Sequence, residues 1–223
     1  MASHSALVLS PAPQLRRDRG VWNLIRSLES LASLAALVLL SPLLIMIAAI
    51  VFVLSRGTPL VAHLRVGQFG APFWTLKFRT MWPADASRGF HRSMIEYVVD
   101  DSSSIWKKAN DPRVTSGFAR FCRSFSIDEL PQLVNVVRGE MSLVGPRPLT
   151  DFELKTYYGC DAAEILLEKP GITGLWQVMG RSRLTYEQRR DLDLFLVRNR
   201  SIKLYLTILM RTGPVVLKGN DSW

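Results

Sequence analysis

The chain has 223 residues, of which 48% are hydrophobic and 21% are charged, and its formal net charge is +9. This length and composition suit one domain with an appendage and exclude a disordered polyelectrolyte. Two distant cysteines and three scattered histidines exclude a zinc ribbon, an iron–sulfur site and a disulfide-dense secreted scaffold. A basic chain is expected to meet anionic lipid, nucleic acid or phosphorylated substrates.

Residues 1–20 contain Ser, Pro and Arg and are predicted to form a flexible basic tail. The segment from Leu31 to Leu54 follows without a single charged residue. As a helix it would measure about 36 Å, whereas the hydrocarbon core of a bilayer measures about 30 Å. It is also too long and too far from the N-terminus for a simple signal peptide. The chain is therefore predicted to be attached to a membrane.

The path of this segment depends on Ser41-Pro42, which lies near its midpoint, where proline is expected to kink a helix. Arginines flank the segment on both sides, whereas a simple span usually carries its basic bias on one side. The residues leave two alternatives open. One is a kinked single span, and the other is a helix that enters, bends and returns to the same cytoplasmic face.

The rest of the chain is predicted to be an α+β domain, mostly helical, with a short β-hairpin. In chain order we expect a hairpin within 57–78 that turns at Gly70-Ala71-Pro72, helix and loop over 83–110, a turn at Asn110-Asp111-Pro112, a helix from Ser126 to Arg138 that stops at Gly139, an extended piece and a rigid proline loop over 139–150, a helix from Tyr186 to Arg198, and an apolar helix from Ile202 to Met210 that ends at Arg211, Gly213 and Pro214. The last helix suits either the membrane interface or the core.

Two adjacent carboxylates, Asp128 and Glu129, precede Pro131 at the predicted start of a helix. The positive end of a helix keeps a carboxylate ionised and favours a bound phosphate. An ionised Asp can act as a nucleophile while its neighbour holds Mg²⁺. The alternative is structural, because Ser126 and Glu129 have the spacing of a capping box.

Cations and glycines gather in three further stretches. Prolines on both sides fix the backbone of Arg147. This arrangement either preorganises the guanidinium for phosphate binding or is simply a rigid loop with a solvated arginine. The stretch from Lys169 to Arg181 offers glycines and Trp176, which either stacks on a base or packs in the core. Lys77 and Arg79 add two cations at a strand end.

Several motifs are absent from the sequence: neither GxGxxG nor GxxxxGK[ST] occurs. Asp191-Leu-Asp193 looks like a glycosyltransferase metal motif, but residues two apart on a helix do not share a face. Because no nucleic-acid-binding module is recognisable, nucleic acid is not an expected partner.

The ordered motifs of residues 21–218 are similar to those of the bacterial sugar transferases, monotopic phosphoglycosyl transferases of the exopolysaccharide-production type. The resemblance rests on Ser41-Pro42, Lys77-Phe78-Arg79-Thr80-Met81, Asp111-Pro112-Arg113-Val114-Thr115, Ser126-Ile-Asp128-Glu129-Leu-Pro131-Gln132-Leu, Gly139 to Pro148, Lys169 to Gln177, Gly180-Arg181 and Arg198-Asn-Arg-Ser201.

The resemblance implies a location and an architecture. Residues 21–56 would form a re-entrant membrane helix broken at Ser41-Pro42, and 57–223 a cytoplasmic catalytic domain with interfacial C-terminal helices. The protein would lie in the bacterial inner membrane, at its cytoplasmic face, among membrane lipids. The chain would be a minimal catalytic form without the large N-terminal membrane domain of some relatives, and the resemblance leaves room for a homodimer.

The resemblance also implies a reaction, the transfer of a sugar phosphate from a UDP-sugar to a polyprenol phosphate with release of UMP. Asp128 would attack the β-phosphorus and form a phosphosugar–enzyme intermediate, and Glu129 would help Asp128 to bind Mg²⁺. Contacts to substrate are implied for Lys77, Arg79, Arg123, Arg147, Gln177 and Arg181. Glucose or galactose is the expected sugar.

One departure from the family pattern concerns Phe125, which stands where relatives carry Thr or Ser and is expected to reshape one wall of the site. Two rival functions remain open. One is a conventional glycosyltransferase that releases UDP, and the other is a non-catalytic membrane scaffold for polysaccharide assembly.

Overall fold

The computed structural model describes residues 19–82, 94–98, 114 and 116–219. The predicted tail up to residue 18, most of the predicted helix and loop over 83–110 and the predicted turn at 110–112 lie outside the described residues. The helices are α1 Arg19–Ser55, α2 Gly117–Ser124, α3 Leu133–Val137, α4 Asp151–Glu153, α5 Ala162–Ile165, α6 Leu175–Met179, α7 Tyr186–Arg198 and α8 Ile202–Leu217. The strands are β1 Leu60–Val66, β2 Pro72–Phe78, β3 Ile95–Val98, β4 Ser142–Val144 and β5 Gly171–Thr173.

Helix α1 stays helical through Ser41-Pro42, so the expected break is at most a bend inside one helix. Proline has no N–H, so Pro42 cannot donate to the carbonyl of Val38 four residues earlier. The Ser41 hydroxyl donates to that same carbonyl at 2.8 Å. The serine thus satisfies the acceptor that the proline leaves open, which matters where no water is available.

Helix α1 is long and apolar enough to cross a membrane, and only 11% of its most apolar window is buried inside the protein. Large side chains such as Val38 and Leu39 are 69% and 80% exposed. A core helix of a soluble protein would bury such residues, so this exposed face indicates association with a membrane.

Both halves of α1 pack on the rest of the protein. In the first half, the Ser30 hydroxyl donates to the carbonyl of Val136 at 3.2 Å. In the second half, Ile47 and Val51 are buried in one cluster with Phe78. The contacts of the two halves are therefore made with the same domain, on either side of Ser41-Pro42.

The predicted hairpin is confirmed: β1 and β2 pair antiparallel from Leu60 opposite Phe78 to Val66 opposite Pro72. The turn uses Gly70 at φ +79°, a backbone conformation that glycine adopts without strain. The expectation of only helix and loop over 83–110 is wrong at residues 95–98, where β3 pairs parallel with β1. A four-residue strand that is defined by its partner leaves little periodicity in its own sequence.

A second, two-stranded sheet pairs β4 with β5 in parallel. A Cβ on Gly145 would lie 2.3 Å from the carbonyl oxygen of Lys169, so only glycine permits this approach. The confirmed extended piece of residues 142–144 thus leads directly into the proline loop.

The three predicted helices differ in outcome. Helix α7 has the predicted bounds and begins with a capping box between Thr185 and Gln188. The predicted helix over 126–138 is instead a 3₁₀ turn, Ile127–Gln132, followed by α3. The predicted end of the last helix is wrong, because α8 continues through Gly213-Pro214 to Leu217, with Tyr205 and Ile208 buried and residues such as Leu206 and Met210 exposed.

Candidate functional site

The two predicted carboxylates lie on the 3₁₀ turn, and the residue before it sets its geometry. Ser126 adopts a left-handed backbone with φ 54° and makes no side-chain cap hydrogen bond. The capping-box alternative for Ser126 and Glu129 is therefore wrong. The Ser126 amide instead donates to the carbonyl of Arg123 at 3.2 Å, which closes a tight turn between α2 and the carboxylates. Such a backbone costs free energy and is found where a side chain must be aimed.

Asn135 fixes this turn against the edge of the three-stranded sheet. Its side chain donates to the carbonyl of Trp74 at 2.7 Å and accepts from the amide of Leu76 at 3.2 Å. It pairs with the free edge of β2 as another strand would. The next residue of β2, Lys77, consequently meets Glu129, with 2.6 Å between Nζ and Oε1. The structure thus brings together the predicted Lys77 and Glu129.

Asp128 lies near the buried face of α2. Burial, and after it the charge of Asp128, raises the pKa of the Cys122 thiol to about 11. The neighbouring Arg123 is 7% exposed, and its guanidinium donates to the hydroxyl of Thr80 at 3.5 Å. A buried guanidinium beside a carboxylate-bearing turn supplies positive charge at low dielectric.

Arg79 lies at the same end of β2 but has two structural partners. Its Nε donates to the carbonyl of Thr58 at 2.7 Å, and its guanidinium pairs with Glu96 on β3. Arg79 thus ties the start of the sheet to its third strand, and its predicted contact with substrate stays a prediction.

Arg181 reaches the turn at Ser126. Its Nη2 lies 3.4 Å from the hydroxyl of Ser126, and its backbone is left-handed with φ 50°. The structure therefore brings the predicted Arg181 to the turn that carries Asp128.

Arg147 is held between two prolines as predicted and lies over the ring of Trp176 at 5.4 Å. Its guanidinium is 3.9 Å from the carboxylate of Glu153. Burial lowers the pKa of Arg147, but the carboxylates of Glu153 and, after it, Glu129 outweigh this, and the net direction is upward. Arg147 is thus a fixed, fully charged cation within electrostatic range of the carboxylate pair.

Trp176 is buried, as one of its two predicted alternatives required. A second arginine, Arg189 of α7, lies near the rings of Trp176 and Tyr186. The Arg189 guanidinium is 5.1 Å from the centre of Trp176 and 5.3 Å from that of Tyr186. Arg189 was not among the residues predicted from the sequence. Its signal, an arginine one helical turn after an aromatic residue at the start of α7, is too common to be read alone.

Asp193 is fully buried and was also missed as a site residue. It accepts a hydrogen bond from the Tyr158 hydroxyl at 2.9 Å and lies 3.4 Å from the amide nitrogen of Arg147. It therefore holds the proline loop in place. Asp191 is exposed and pairs with Arg190 instead, so the pair Asp191 and Asp193 does not form a metal motif, as its spacing predicted.

Several buried polar atoms around Trp176 have no hydrogen-bond partner among the described residues. They are Arg147 Nε, Trp176 Nε1, Gln177 Oε1 and Asp193 Oδ1. Buried polar groups are normally paired, and unpaired ones are explained by a bound water, ion or polar ligand. The predicted Gln177 belongs to this cluster.

The described residues offer few possible ligands for a metal ion. Within the described residues, no group of three or more His, Cys, Asp or Glu side chains could hold one. Asp128 and Glu129 supply two adjacent carboxylates. Mg²⁺ is often held by one or two carboxylates, with substrate phosphates and water completing its shell. The pair therefore fits Mg²⁺ bound together with a diphosphate.

Comparisons with known proteins identify the family of the chain. A family model described as "Bacterial sugar transferase" matches residues 21–219. The chain is 40% identical to the exopolysaccharide production protein ExoY of Rhizobium meliloti, over 89% of this chain and 87% of the relative. It is 39% identical to the UDP-galactose-lipid carrier transferase of Erwinia amylovora and 36% identical to the undecaprenyl-phosphate galactose phosphotransferase of Salmonella typhimurium.

The alignments with the Erwinia and Salmonella relatives cover 99% of this chain but 46% of each relative, so the chain spans about half of their length. The family match covers nearly the whole chain, including both halves of α1, the carboxylate turn and the proline loop. The chain belongs to the bacterial sugar transferase family.

Proposed function

We propose that this protein transfers a sugar 1-phosphate from a UDP-sugar to undecaprenyl phosphate and releases UMP. The observation that carries the proposal is the strained turn that presents Asp128 and Glu129 amid the cations Lys77, Arg123, Arg147 and Arg181, in a protein with a lipid-facing helix. Relatives whose names include galactose- and glucose-phosphate transfer to undecaprenyl phosphate support the choice of reaction.

In the first step, a carboxylate oxygen of Asp128 attacks the β-phosphorus of the donor. A bond forms between that oxygen and phosphorus, and the bond to the bridging oxygen breaks, so UMP leaves with the electron pair. A carboxylate needs no base for this attack because it is already anionic at neutral pH. Arg123 and Arg181 would neutralise the phosphoryl oxygens, as preorganised cations do in phosphoryl transfer.

Asp128 and Glu129 would hold Mg²⁺, which when bound would neutralise part of the charge of the diphosphate. The Lys77 ammonium already lies on Glu129, so Lys77 orients that carboxylate. The unpaired polar atoms near Trp176 suit the nucleotide part of the donor, and Arg147 and Gln177 would contact it.

In the second step, a phosphate oxygen of the polyprenyl phosphate attacks the same phosphorus, and the Asp128 carboxylate leaves. This returns the enzyme to its starting state and leaves the sugar on a lipid diphosphate. The acceptor is confined to the bilayer, which explains why the site must lie close to a membrane surface.

We infer that α1 is re-entrant and that the domain stays on the cytoplasmic face of the inner membrane. The contacts of the first half end near Ser33 and those of the second begin near Leu44. Only about ten residues, or about 15 Å of helix, lie between them, half of a hydrocarbon core. A straight span would draw one set of contacts into the bilayer, whereas a bend at Ser41-Pro42 keeps both sets at one surface.

Nucleotide release tests the reaction. Purified protein in detergent would be incubated with Mg²⁺, undecaprenyl phosphate and a panel of UDP-sugars, and UMP and UDP would be quantified separately. We expect UMP with UDP-glucose or UDP-galactose, and UDP would refute the role of Asp128. Asp128→Asn should abolish turnover without changing membrane association, whereas Asp151→Asn, an exposed control, should leave turnover unchanged.

Topology requires a separate experiment. Single cysteines at positions 20 and 56, in a variant that lacks the two natural cysteines, would be labelled with a membrane-impermeant maleimide in spheroplasts and in inverted vesicles. We expect both positions to react only in inverted vesicles. Reaction of the two positions from opposite sides would establish a simple span and refute the re-entrant path.

A further inference from the structure

Helix α2 carries an aromatic stripe that the reaction above does not use. Phe118, Phe121 and Phe125 follow one another at spacings of three and four residues, which places them along one side of the helix and its end. Arg123 lies on the other side of α2 and is buried. The same short helix thus separates an aromatic surface from the charged one.

This stripe runs from α1 to the end of α8, a helix on which Leu206 and Met210 are exposed. At its first end, Phe118 packs with Ile47 and Val51 of α1. At its other end, the Phe125 ring lies 3.0 Å from the position of a Cβ on Gly219, just beyond the end of α8. Helix α2 therefore connects the buried face of α1 with the residue that follows the end of α8.

The middle of the stripe faces outward. The Phe121 side chain is 51% exposed, and its ring centre lies 4.9 Å from that of the half-buried Phe125. Leu217, two residues before Gly219, is 77% exposed. Exposed aromatic and aliphatic side chains that continue a lipid-facing surface are expected to contact hydrocarbon.

The stripe also lies beside the nucleophile. Phe125 directly precedes Ser126, and Asp128 follows two residues later in the same turn. A lipid phosphate that reaches Asp128 must place the first units of its chain within a few ångströms of this turn.

We propose that Phe121 and Phe125 bind the first isoprene units of the polyprenyl phosphate acceptor. This inference rests on the proposed function and adds to it a subsite for the lipid chain. Branched isoprene units pack well on the faces of aromatic rings, and the loss of one such ring is expected to weaken binding by roughly tenfold or more. Phe125, the departure from the family pattern, is thereby assigned a role toward the acceptor rather than the sugar.

The test separates the two half-reactions. In mixed micelles of constant detergent concentration, UMP released without acceptor reports the first step, and the KM for undecaprenyl phosphate reports the second. For Phe121→Ser we expect unchanged UMP release without acceptor, and for both Phe121→Ser and Phe125→Ser we expect a KM for the lipid raised about tenfold. Phe125→Leu, which keeps an apolar side chain, should recover most of the affinity.

Two controls keep the outcome decisive. Phe195→Ser removes a ring from α7 that is 50% exposed, nearly the same as Phe121, and should leave the KM unchanged. Geranyl phosphate, which has two isoprene units, should respond to both α2 variants as the long acceptor does. If only the long acceptor responds, the rings bind the distal chain or bulk lipid, and the inference is wrong.

The failures are distinguishable. If the wild-type protein releases no UMP without acceptor and none with it, the proposed function fails. If it releases UMP normally and the KM for lipid is unchanged in Phe121→Ser, the inference alone fails. Phe121 is half exposed, so its variant is expected to fold even if Phe125→Ser does not.

Discussion

Replacing Glu29 should detach the first half of α1 from the domain. This carboxylate lies in the first half of α1 and is only 4% exposed. One of its oxygens accepts from the Ser142 hydroxyl at 2.6 Å, the Leu143 amide at 2.9 Å and the Tyr205 hydroxyl at 2.7 Å. It therefore joins α1 to β4 and α8 at once.

The expected cost follows from the three donors. Glu29→Ala leaves a buried amide without its acceptor, at about 1–3 kcal/mol, and two hydroxyls that lose about 1 kcal/mol each. The sum, about 4 kcal/mol, agrees with the usual cost of removing one partner from a buried charged network. For a chain of this size, one kcal/mol shifts the melting temperature by about 2–4 °C, so we expect a loss of about 8–16 °C.

The assay is thermal unfolding in detergent, followed by tryptophan fluorescence, because Trp22 contacts Tyr205 beside the buried carboxylate. Glu29→Gln keeps an acceptor for the amide and should lose about 1–2 kcal/mol, since its hydrogen bonds lack the charge. The expected order of melting temperatures is wild type, Gln, then Ala. If Ala melts within 2 °C of wild type, or Gln melts as low as Ala, the three hydrogen bonds do not hold the helix.

Further predictions address the rest of the fold. Gly145→Ala should prevent the β4–β5 pairing and abolish a cooperative melt, because its Cβ would overlap the Lys169 carbonyl, whereas Gly213→Ala meets nothing within 4 Å and should melt as wild type or slightly higher. Burial raises the pKa of Asp193 to about 7, so the folded protein keeps a proton that the unfolded chain releases near pH 4. Wild-type stability therefore falls as the pH rises from 4 to 7. The melting temperature of Asp193→Asn, minus that of the wild type, should increase between pH 5 and 8, and a constant difference would refute this. At pH 8 the native protein should take up one equivalent of N-ethylmaleimide, at the exposed Cys160, and a second at Cys122 only after unfolding.

The elements that depend only on residues close together in the sequence were predicted correctly. The hairpin turn needs a left-handed residue, and Gly70 provides one. Helix α7 starts at the capping box of Thr185 and ends at Arg198, both of which can be read from a few neighbouring residues. The apolar length of α1 likewise needed no partner to be recognised.

Elements that depend on distant partners were not predictable. Strand β3 exists because it pairs with β1, and Asn135 matters because β2 offers it a free edge sixty residues earlier in the chain. Glu29 is separated from Ser142 by 113 residues. No pattern in either neighbourhood indicates such contacts.

The residues of the candidate site also fall into those that were predicted from the sequence and those that were missed. Asp128, Arg147 and Arg181 were predicted from short motifs and from the family resemblance. Tyr158 and Asp193 were missed, because their role is to hold the proline loop from behind, through contacts that only the folded chain creates. The left-handed Ser126 was also missed, since its spacing to Glu129 favoured a helix cap.

The hydroxyl of Ser41 on the carbonyl that Pro42 leaves open makes these two residues epistatic. With proline present, Ser41→Ala exposes a bare carbonyl to hydrocarbon; with Pro42→Ala, the backbone amide returns and the hydroxyl becomes dispensable. A lineage could therefore acquire the serine first without penalty but not the proline. Once both are present, loss of the serine first leaves the carbonyl of Val38 unpaired, whereas loss of the proline first does not.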